Sequence, residues 1–122
     1  MKAMSSSHEG RKYLHIARSS DASFEDIKAA RSKILPLFDD AGIERMLFDY
    51  RKVNIDRFSQ DDIDTFAKEF KVDFPSCQRI ALICQPDARA TYQRLQIACD
   101  RYDIEMQFHS ELELAKDWLC DH

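Results

Sequence analysis

The residues that could carry out chemistry lie where apolar runs of the sequence end. Asp49, Tyr50 and Arg51 follow one such run, and Arg89 and His109 follow two later ones. Ligands of open parallel sheets bind beyond the carboxyl ends of the strands, so we expect these five residues to share one rim. An acid, an imidazole and two cations could act in acid–base catalysis. Because solvated loop ends carry the same residue types, we assign no catalytic residue and predict a ligand or partner rim.

Ser59 is a candidate phosphorylation switch. It stands at the start of a predicted helix, where a phosphate would meet unpaired backbone N–H groups and a favourable dipole. The carboxylates of Asp61 and Asp62 would repel that phosphate. A serine followed three positions later by an acid is also a helix capping signature, which recurs at Ser23 and Ser110. Ser59 is therefore predicted as a helix cap and as a possible switch.

Several classes of function lack their signatures. The two glycines, Gly10 and Gly42, do not follow strands, whereas nucleotide-phosphate loops need several glycines there. The four histidines are far apart and show no ligand spacing, so we expect neither a metal nor another cofactor. A formal charge of -4 without a basic tract argues against nucleic-acid binding. No apolar stretch reaches the roughly 20 residues of a membrane-spanning helix.

The cysteines indicate a reducing environment. None of the four belongs to a C-x-x-C pair, so the sequence predicts neither a zinc site nor a thioredoxin-like motif. We expect reduced thiols that pack as small apolar side chains, and a cytoplasmic protein.

The elements that position these residues alternate along the chain. Apolar runs predict strands at residues 12–18, 45–50, 79–84 and 105–109, the last a half-solvated edge strand. Each strand is followed by a helical pattern, and these helices begin at Ser23, Ser59, Pro86 and Ser110. Four strand–helix units predict an α/β fold with a mainly parallel four-stranded sheet. Residues 1–10 are predicted as a flexible tail and residues 11–122 as a single domain.

Beyond this pattern, the chain resembles SpoIIAA-like domains of the STAS/SEC14 type over about residues 12 to 120. The resemblance rests on the strand Arg79-Ile80-Ala81-Leu82-Ile83, a long helix, a short strand with Phe108, and the ending Glu113-Leu114-Ala115-Lys116-Asp117-Trp118-Leu119. Leu47-Phe48-Asp49-Tyr50 is similar to the central strand of the family. The resemblance implies four turns of a β–α superhelix.

The best-known members of that family are bacterial anti-sigma factor antagonists, which act by protein–protein contact and are switched by serine phosphorylation. Their serine lies in an Asp-Ser-(Ser/Thr)-Gly motif at a helix start. The nearest stretch here, Arg57-Phe58-Ser59-Gln60, lacks both the Asp and the Gly. The resemblance thus implies a non-enzymatic, regulatory interaction module that contacts a protein partner or a second copy of itself.

Two alternatives remain open. Relatives of the SEC14 type bind lipids in an apolar groove, and the phenylalanines near the second helix could line a pocket for an apolar ligand, although such spacing is also typical of a core: Phe58, Phe66, Phe70 and Phe74. An enzyme that uses the rim of Asp49, Arg51, Arg89 and His109 is the other alternative. A carrier predicts an enclosed apolar cavity of several hundred Å³, and an enzyme predicts rim side chains that converge in a cleft.

Overall fold

A computed structural model describes residues 1–40 and 42–121, without the side chains of Asp39 and Asp40. The strands are β1 (Lys2–His8), β2 (Arg11–Ala17), β3 (Arg45–Asp49), β4 (Arg79–Ile83) and β5 (Glu105–His109). The α-helices are α1 (Phe24–Asp40), α2 (Gln60–Asp73), α3 (Arg89–Asp100) and α4 (Leu112–Leu119), and short 3-10 turns lie at Ile55–Arg57 and Pro86–Ala88.

The five strands form one sheet in the order β1-β2-β3-β4-β5. Strands β2 to β5 are parallel, with Asp49 of β3 beside Ala17 of β2 and Ile83 of β4, and Ile83 beside His109 of β5. The predicted α/β class and mainly parallel sheet are confirmed. Strand β1 is a fifth strand beyond the four predicted ones. It pairs with β2 in the antiparallel direction, from Lys2 beside Ala17 to His8 beside Arg11.

Residues 1–10 therefore do not form the predicted tail in the structure, because Lys2–His8 is strand β1. A two-residue turn makes this possible: Glu9 and Gly10 have φ of 52° and 81°, and two positive φ values are what a tight hairpin turn of type I′ requires. The three serines of β1 carry no apolar period, which is why the sequence indicated a tail. The strand is held by its backbone pairing with β2.

Alternation along the strands gives the sheet two apolar faces of unequal cover. Leu14, Ile16 and Phe48 face the larger core, which helices α1, α2 and α3 complete. Leu47, Ala81 and Ile83 face the other way and are covered by α4 alone, through Ala115 and Leu119 among others. All four cysteines are buried and carry free thiols, as predicted: Cys77, Cys84, Cys99 and Cys120.

The serine signatures cap two of the three helices at whose starts they were predicted. Ser23 and Asp26 exchange side-chain-to-backbone hydrogen bonds of 3.0 and 3.1 Å, and Ser59 and Asp62 exchange two of 3.0 Å. The prediction for Ser110 is wrong. Helix α4 begins one residue later, and its N-cap is Glu111, whose side chain makes no capping hydrogen bond. The first residue of α4, Leu112, packs against the smaller core.

Candidate functional site

The strand order explains the shape of the carboxyl edge of the sheet. Each parallel strand is followed along the sheet by the next one in sequence. Because crossovers between parallel strands are right-handed, helices α1, α2 and α3 all lie on one face. Crevices of open α/β sheets form where the strand order reverses and neighbouring loops turn to opposite faces. This sheet has no such reversal among its described parallel strands, so it lacks a crevice of that kind at the rim.

The acid and the first cation of the predicted rim neutralise each other. Arg51 donates from Nε to one carboxylate oxygen of Asp49 at 2.9 Å and from Nη2 to the other at 2.7 Å. This two-pronged contact holds the pKa of Asp49 below its usual range. Asp49 is therefore an ionised partner of Arg51 at neutral pH.

Tyr50 and His109 lie on opposite faces of the sheet. Tyr50 is 6% exposed beside Phe48, with ring centroids 5.4 Å apart, and burial raises the pKa of its phenol to about 12. His109 lies on the face that carries α4, where its ring is 5.7 Å from that of Trp118. Burial lowers the pKa of His109, which favours the neutral imidazole. Strand alternation thus separates these two side chains.

Arg89 is exposed at the first residue of α3. Within the described part of the chain, it makes no hydrogen bond or ion pair. The structure therefore places all five predicted rim residues along one edge, but it brings only Asp49 and Arg51 into contact. They do not converge on a common point where a substrate atom could meet an acid and a base.

His15 is a polar residue near this edge that the predicted rim does not include. It lies on the α4 face of β2, and Asp49, Lys116 and Arg51 all influence its ionisation. Burial lowers the pKa of His15, and its buried Nε2 atom has no hydrogen-bond partner among the described residues. Neighbouring residues of a strand point to opposite faces, so a histidine between Leu14 and Ile16, which face the larger core, must lie on the α4 face. This alternation is visible in the sequence.

The connection from β3 to α2, residues 51–58, is held to the body of the protein from three sides. Asp21, in the β2–α1 connection, accepts a hydrogen bond from the backbone N–H of Asn54 at 2.9 Å and forms an ion pair with Arg57. From α3, the buried hydroxyl of Thr91 donates to Asp56 at 2.6 Å.

The third attachment comes from the neighbouring loop, where the side-chain amide of Gln85 donates to the carbonyl oxygen of Arg51. Inside the connection, the side chain of Asn54 caps the 3-10 turn by accepting from the N–H of Asp56. Three of its residues are also buried, Val53, Ile55 and Phe58. We call residues 51–58 the pinned loop.

An open polar concavity of about 420 Å³ lies between the pinned loop and the β4–α3 connection. Its lining residues are mainly polar or charged: Arg51, Lys52, Val53, Asn54, Ile55, Asp56, Gln85, Asp87 and Ala88. Two cations and two acids among them leave the concavity with no strong net charge, which does not favour a phosphate-rich ligand.

Ser59 directly follows the pinned loop and is exposed. Both its hydroxyl oxygen and its backbone N–H are engaged with Asp62. On the facing helix α3, Arg94 donates to the side-chain oxygen of Gln60 at 3.5 Å and to the hydroxyl of Thr91 at 3.3 Å. The structure thus shows Ser59 as a helix cap at the border of the pinned loop.

Two apolar clefts lie between α1 and α2, with volumes of about 30 and 20 Å³. Each has room for about one water molecule, far less than the hundreds of Å³ of a lipid or cofactor site. They share walls formed by Phe24, Ile27, Phe48 and Phe66. Phe58, Phe70 and Phe74 also line one or the other cleft, so the predicted aromatic cluster forms core and cleft walls together.

None of the described helices combines the length and the apolar character that crossing a bilayer demands.

Comparisons with known proteins connect this architecture to a known fold. No protein-family model matches the chain, and no curated protein is significantly similar to it. It is similar to the crystal structure, at 2.25 Å resolution, of an uncharacterized protein of the DUF3478 family from Shewanella loihica PV-4, which has a SpoIIAA-like fold. The match has a TM-score of 0.63 and 19% sequence identity, and it covers 98% of this chain and 93% of the other. The chain therefore has a SpoIIAA-like fold.

Proposed function

We propose that this protein is a non-enzymatic regulatory module that recognises a protein partner through the pinned loop and the start of α2. The observation that carries this proposal is the attachment of the loop to three other parts of the protein, through Asp21, Gln85 and Thr91. A loop held in one conformation loses little conformational entropy when a partner binds, and this favours recognition. The SpoIIAA-like fold supports a module of the STAS type.

The exposed side chains around the loop define the chemistry of the partner surface. Lys52, Asp87 and Arg89 are exposed, and they alternate in charge along the edge. Large apolar side chains that are more than 40% exposed are spread over the N-terminal residue, β1 and all four helices: Met1, Met4, Leu37, Val72, Ile97 and Leu114. We therefore propose a polar, charge-complementary protein interface, which gains specificity from matched charges.

The absence of convergence at the rim favours binding over catalysis. The carboxylate of Asp49 is held by Arg51, and the phenol of Tyr50 has a pKa near 12 and faces the larger core. A general acid or base must lie within hydrogen-bond reach of the reacting group and have a pKa near the working pH. His109 has the suitable chemistry but lies on the face opposite to Tyr50, beside Trp118.

Phosphorylation of Ser59 is proposed as the regulatory step. The added phosphate would displace the hydroxyl from the N–H of Asp62 and would bring negative charge beside the Asp62 carboxylate. The first turn of α2 would loosen, and this turn borders the pinned loop. We therefore expect phosphorylation at Ser59 to weaken binding of the partner.

The experiment uses a photo-crosslinking side chain at Lys52 to capture the partner, followed by affinity measurements with purified components. We expect Lys52→Glu to weaken binding at least about tenfold, a loss of about 1.4 kcal/mol that is typical of an interface charge. Lys68→Glu is the matched control, because Lys68 is an exposed lysine on α2 away from the loop. Equal affinities for the two variants would contradict the proposed surface.

Ser23 provides the control for the switch. It caps α1 with the same reciprocal hydrogen bonds as Ser59, so a serine-to-aspartate change should affect both helices similarly. We expect Ser59→Asp to weaken partner binding through the charge that it adds beside Asp62, whereas Ser23→Asp leaves binding within about twofold of the original. Ser59→Ala, which loses the cap but adds no charge, should weaken binding less than Ser59→Asp does. If Ser59→Asp behaves like Ser23→Asp, Ser59 is a cap and no switch.

An apolar-ligand carrier is the second candidate, and the apolar lining of the two clefts beside Phe24 is the observation that favours it. Their volumes of about 30 and 20 Å³ are too small for such a ligand, so a carrier would have to open them by moving shared lining residues such as Phe24. Native mass spectrometry of protein purified without detergent tests this function, because a carrier would retain an apolar ligand. Loss of the ligand on Phe24→Trp, with the fold intact, would favour the carrier over the interaction module.

A further inference from the structure

A cluster of potential metal ligands lies at the amino edge of the sheet, away from the pinned loop. His8 ends β1, Glu9 begins the hairpin turn, and Asp117 lies in the last turn of α4. One donor atom from each side chain can be chosen so that all three lie within 4.8 Å of one another. The imidazole Nε2 of His8 is 2.8 Å from a carboxylate oxygen of Asp117, across a sequence separation of 109 residues.

We propose that His8, Glu9 and Asp117 bind a divalent transition-metal cation of the Zn²⁺ type through one imidazole nitrogen and two carboxylate oxygens. Zn²⁺ takes such ligands at about 2.0–2.2 Å, so ligand atoms in a tetrahedral site lie roughly 3.4 Å apart. The 2.8 Å between His8 and Asp117 is below that value and no separation exceeds 4.8 Å, so small side-chain rotations would complete the site. Three protein ligands leave a fourth position for water.

The hairpin turn is what places two consecutive residues on the same side. Neighbouring residues in a strand point to opposite faces, so His8 and Glu9 would diverge if the strand continued. The left-handed conformation of Glu9, with φ of 52°, ends this alternation, and the donor atoms of the two side chains lie together. The site thus combines a nitrogen ligand, which distinguishes it from a group of surface acids, with ligands from two distant elements.

Binding changes the hydrogen bonding of His8 in a defined way. In the structure, Nε2 and the carboxylate of Asp117 are at hydrogen-bond distance. On metal binding, Nε2 would coordinate through its lone pair, its proton would reside on Nδ1, and the carboxylate would bind the cation directly. The metal would then replace a hydrogen-bonded link between the hairpin and α4 by a coordinate one.

The neighbouring thiol is not part of the ligand set. Cys120 is fully buried, and its Sγ atom is 3.9 Å from the carbonyl oxygen of Arg11. Burial raises the pKa of this thiol, which disfavours the thiolate that a metal would need. The ligands are therefore nitrogen and oxygen, which suit Zn²⁺, Co²⁺ or Mn²⁺.

Isothermal titration of the EDTA-treated and dialysed full chain with ZnCl₂ tests the proposal, with MgCl₂ as the comparison cation. We expect one Zn²⁺ per chain, a higher thermal midpoint with Zn²⁺ than with Mg²⁺, and a Co²⁺ spectrum without thiolate charge-transfer bands. His8→Gln, Glu9→Gln and Asp117→Asn should each weaken Zn²⁺ binding at least about tenfold.

Two control variants isolate the site. Glu113→Gln changes an acid one turn earlier on α4, which pairs with Lys116, and it should leave the affinity for Zn²⁺ unchanged. His122→Gln removes a histidine that lies outside the described residues and should also have no effect. The proposal is overturned if Zn²⁺ does not bind, if binding survives Asp117→Asn, or if only His122→Gln abolishes it. Should His8→Gln fail to fold, the affinities of Glu9→Gln and Asp117→Asn for Zn²⁺ decide.

Discussion

Replacing Arg45 with methionine should weaken the attachment of α4 to the sheet. Arg45 begins β3, is only 6% exposed, and donates from Nη1 to the carbonyl oxygens of Leu119 and, at 3.0 Å, of Asp121. Arg79, its partner in the register of β4, donates to the carbonyl oxygens of Trp118 at 2.8 Å and Asp121 at 3.4 Å. Carbonyls at the end of a helix lack donors within the helix, and the helix dipole there favours cations.

The size of the effect follows from the contacts that are lost. A hydrogen bond from a charged donor contributes about 1.5–3 kcal/mol, and Arg45 supplies two. The carbonyl of Asp121 would retain Arg79, so only the carbonyl of Leu119 loses its cationic donor completely. Removal of the charge also relieves repulsion from Arg11 and Arg79 and the cost of burying a cation. We therefore expect Arg45→Met to lower the free energy of unfolding by about 2–3 kcal/mol.

Urea unfolding followed by tryptophan fluorescence measures this effect, with far-UV circular dichroism as the second probe. Trp118 is the one tryptophan of the chain and lies in α4, with its ring 5.1 Å from the Arg79 guanidinium. Fluorescence therefore reports on the helix that Arg45 holds. The control is Arg101→Met, because Arg101 is 66% exposed in its side chain and its ion pair with Asp64 spans 3.9 Å. A loss below about 0.5 kcal/mol for Arg45→Met, or one equal to that of the control, would refute the reasoning.

Three further predictions concern the histidines, the pinned loop and the thiols. Burial lowers the pKa of both His15 and His109, so the unfolded chain binds more protons than the folded protein. The free energy of unfolding should therefore fall as the pH drops below about 6.5 towards the pKa values of the folded state. Changing both histidines to glutamine should flatten this pH dependence in urea titrations between about pH 7 and 5. Asp21→Ala should speed hydrogen exchange at the amides of Ala22 and Asn54, measured by NMR, and unchanged rates would show that Asp21 does not hold the loop. The four buried thiols, three of them with pKa values of about 12, should react with a disulfide reagent only after denaturant is added, and fast labelling of the native protein would contradict their burial.

The central strands could be predicted because their signal is local. Residues 45–49 and 79–83 are almost continuously apolar, and burial on both faces is what the structure shows for their middle residues. The serine-acid signatures gave the starts of α1 and α2 for the same reason, since each depends on four consecutive residues. Ser110 carries a similar signature with Glu113 as its acid, but α4 begins at Leu112, a residue that packs against the core across the chain.

The parts that could not be predicted depend on partners distant in sequence. Strand β1 has no apolar period and exists because the Glu9-Gly10 turn pairs it with β2. The carboxyl edge could be located from the sequence, but whether its residues converge depends on the strand order, which local patterns do not encode. Contacts such as Asp21 with Asn54 and His8 with Asp117 join residues 33 and 109 positions apart.

The antiparallel direction of β1 has a consequence for how the protein can be joined to other molecules. Lys2 lies beside Ala17 at the carboxyl edge of the sheet, whereas α4 runs back so that Asp121 meets Arg45 and Arg79 at the amino edge. A label or surface tether attached before Met1 would leave on the side of the pinned loop and Ser59. One attached after residue 122 would point away from them. Immobilisation through the C-terminal end would thus present the proposed recognition edge to solvent, and immobilisation through the N-terminal end would obstruct it.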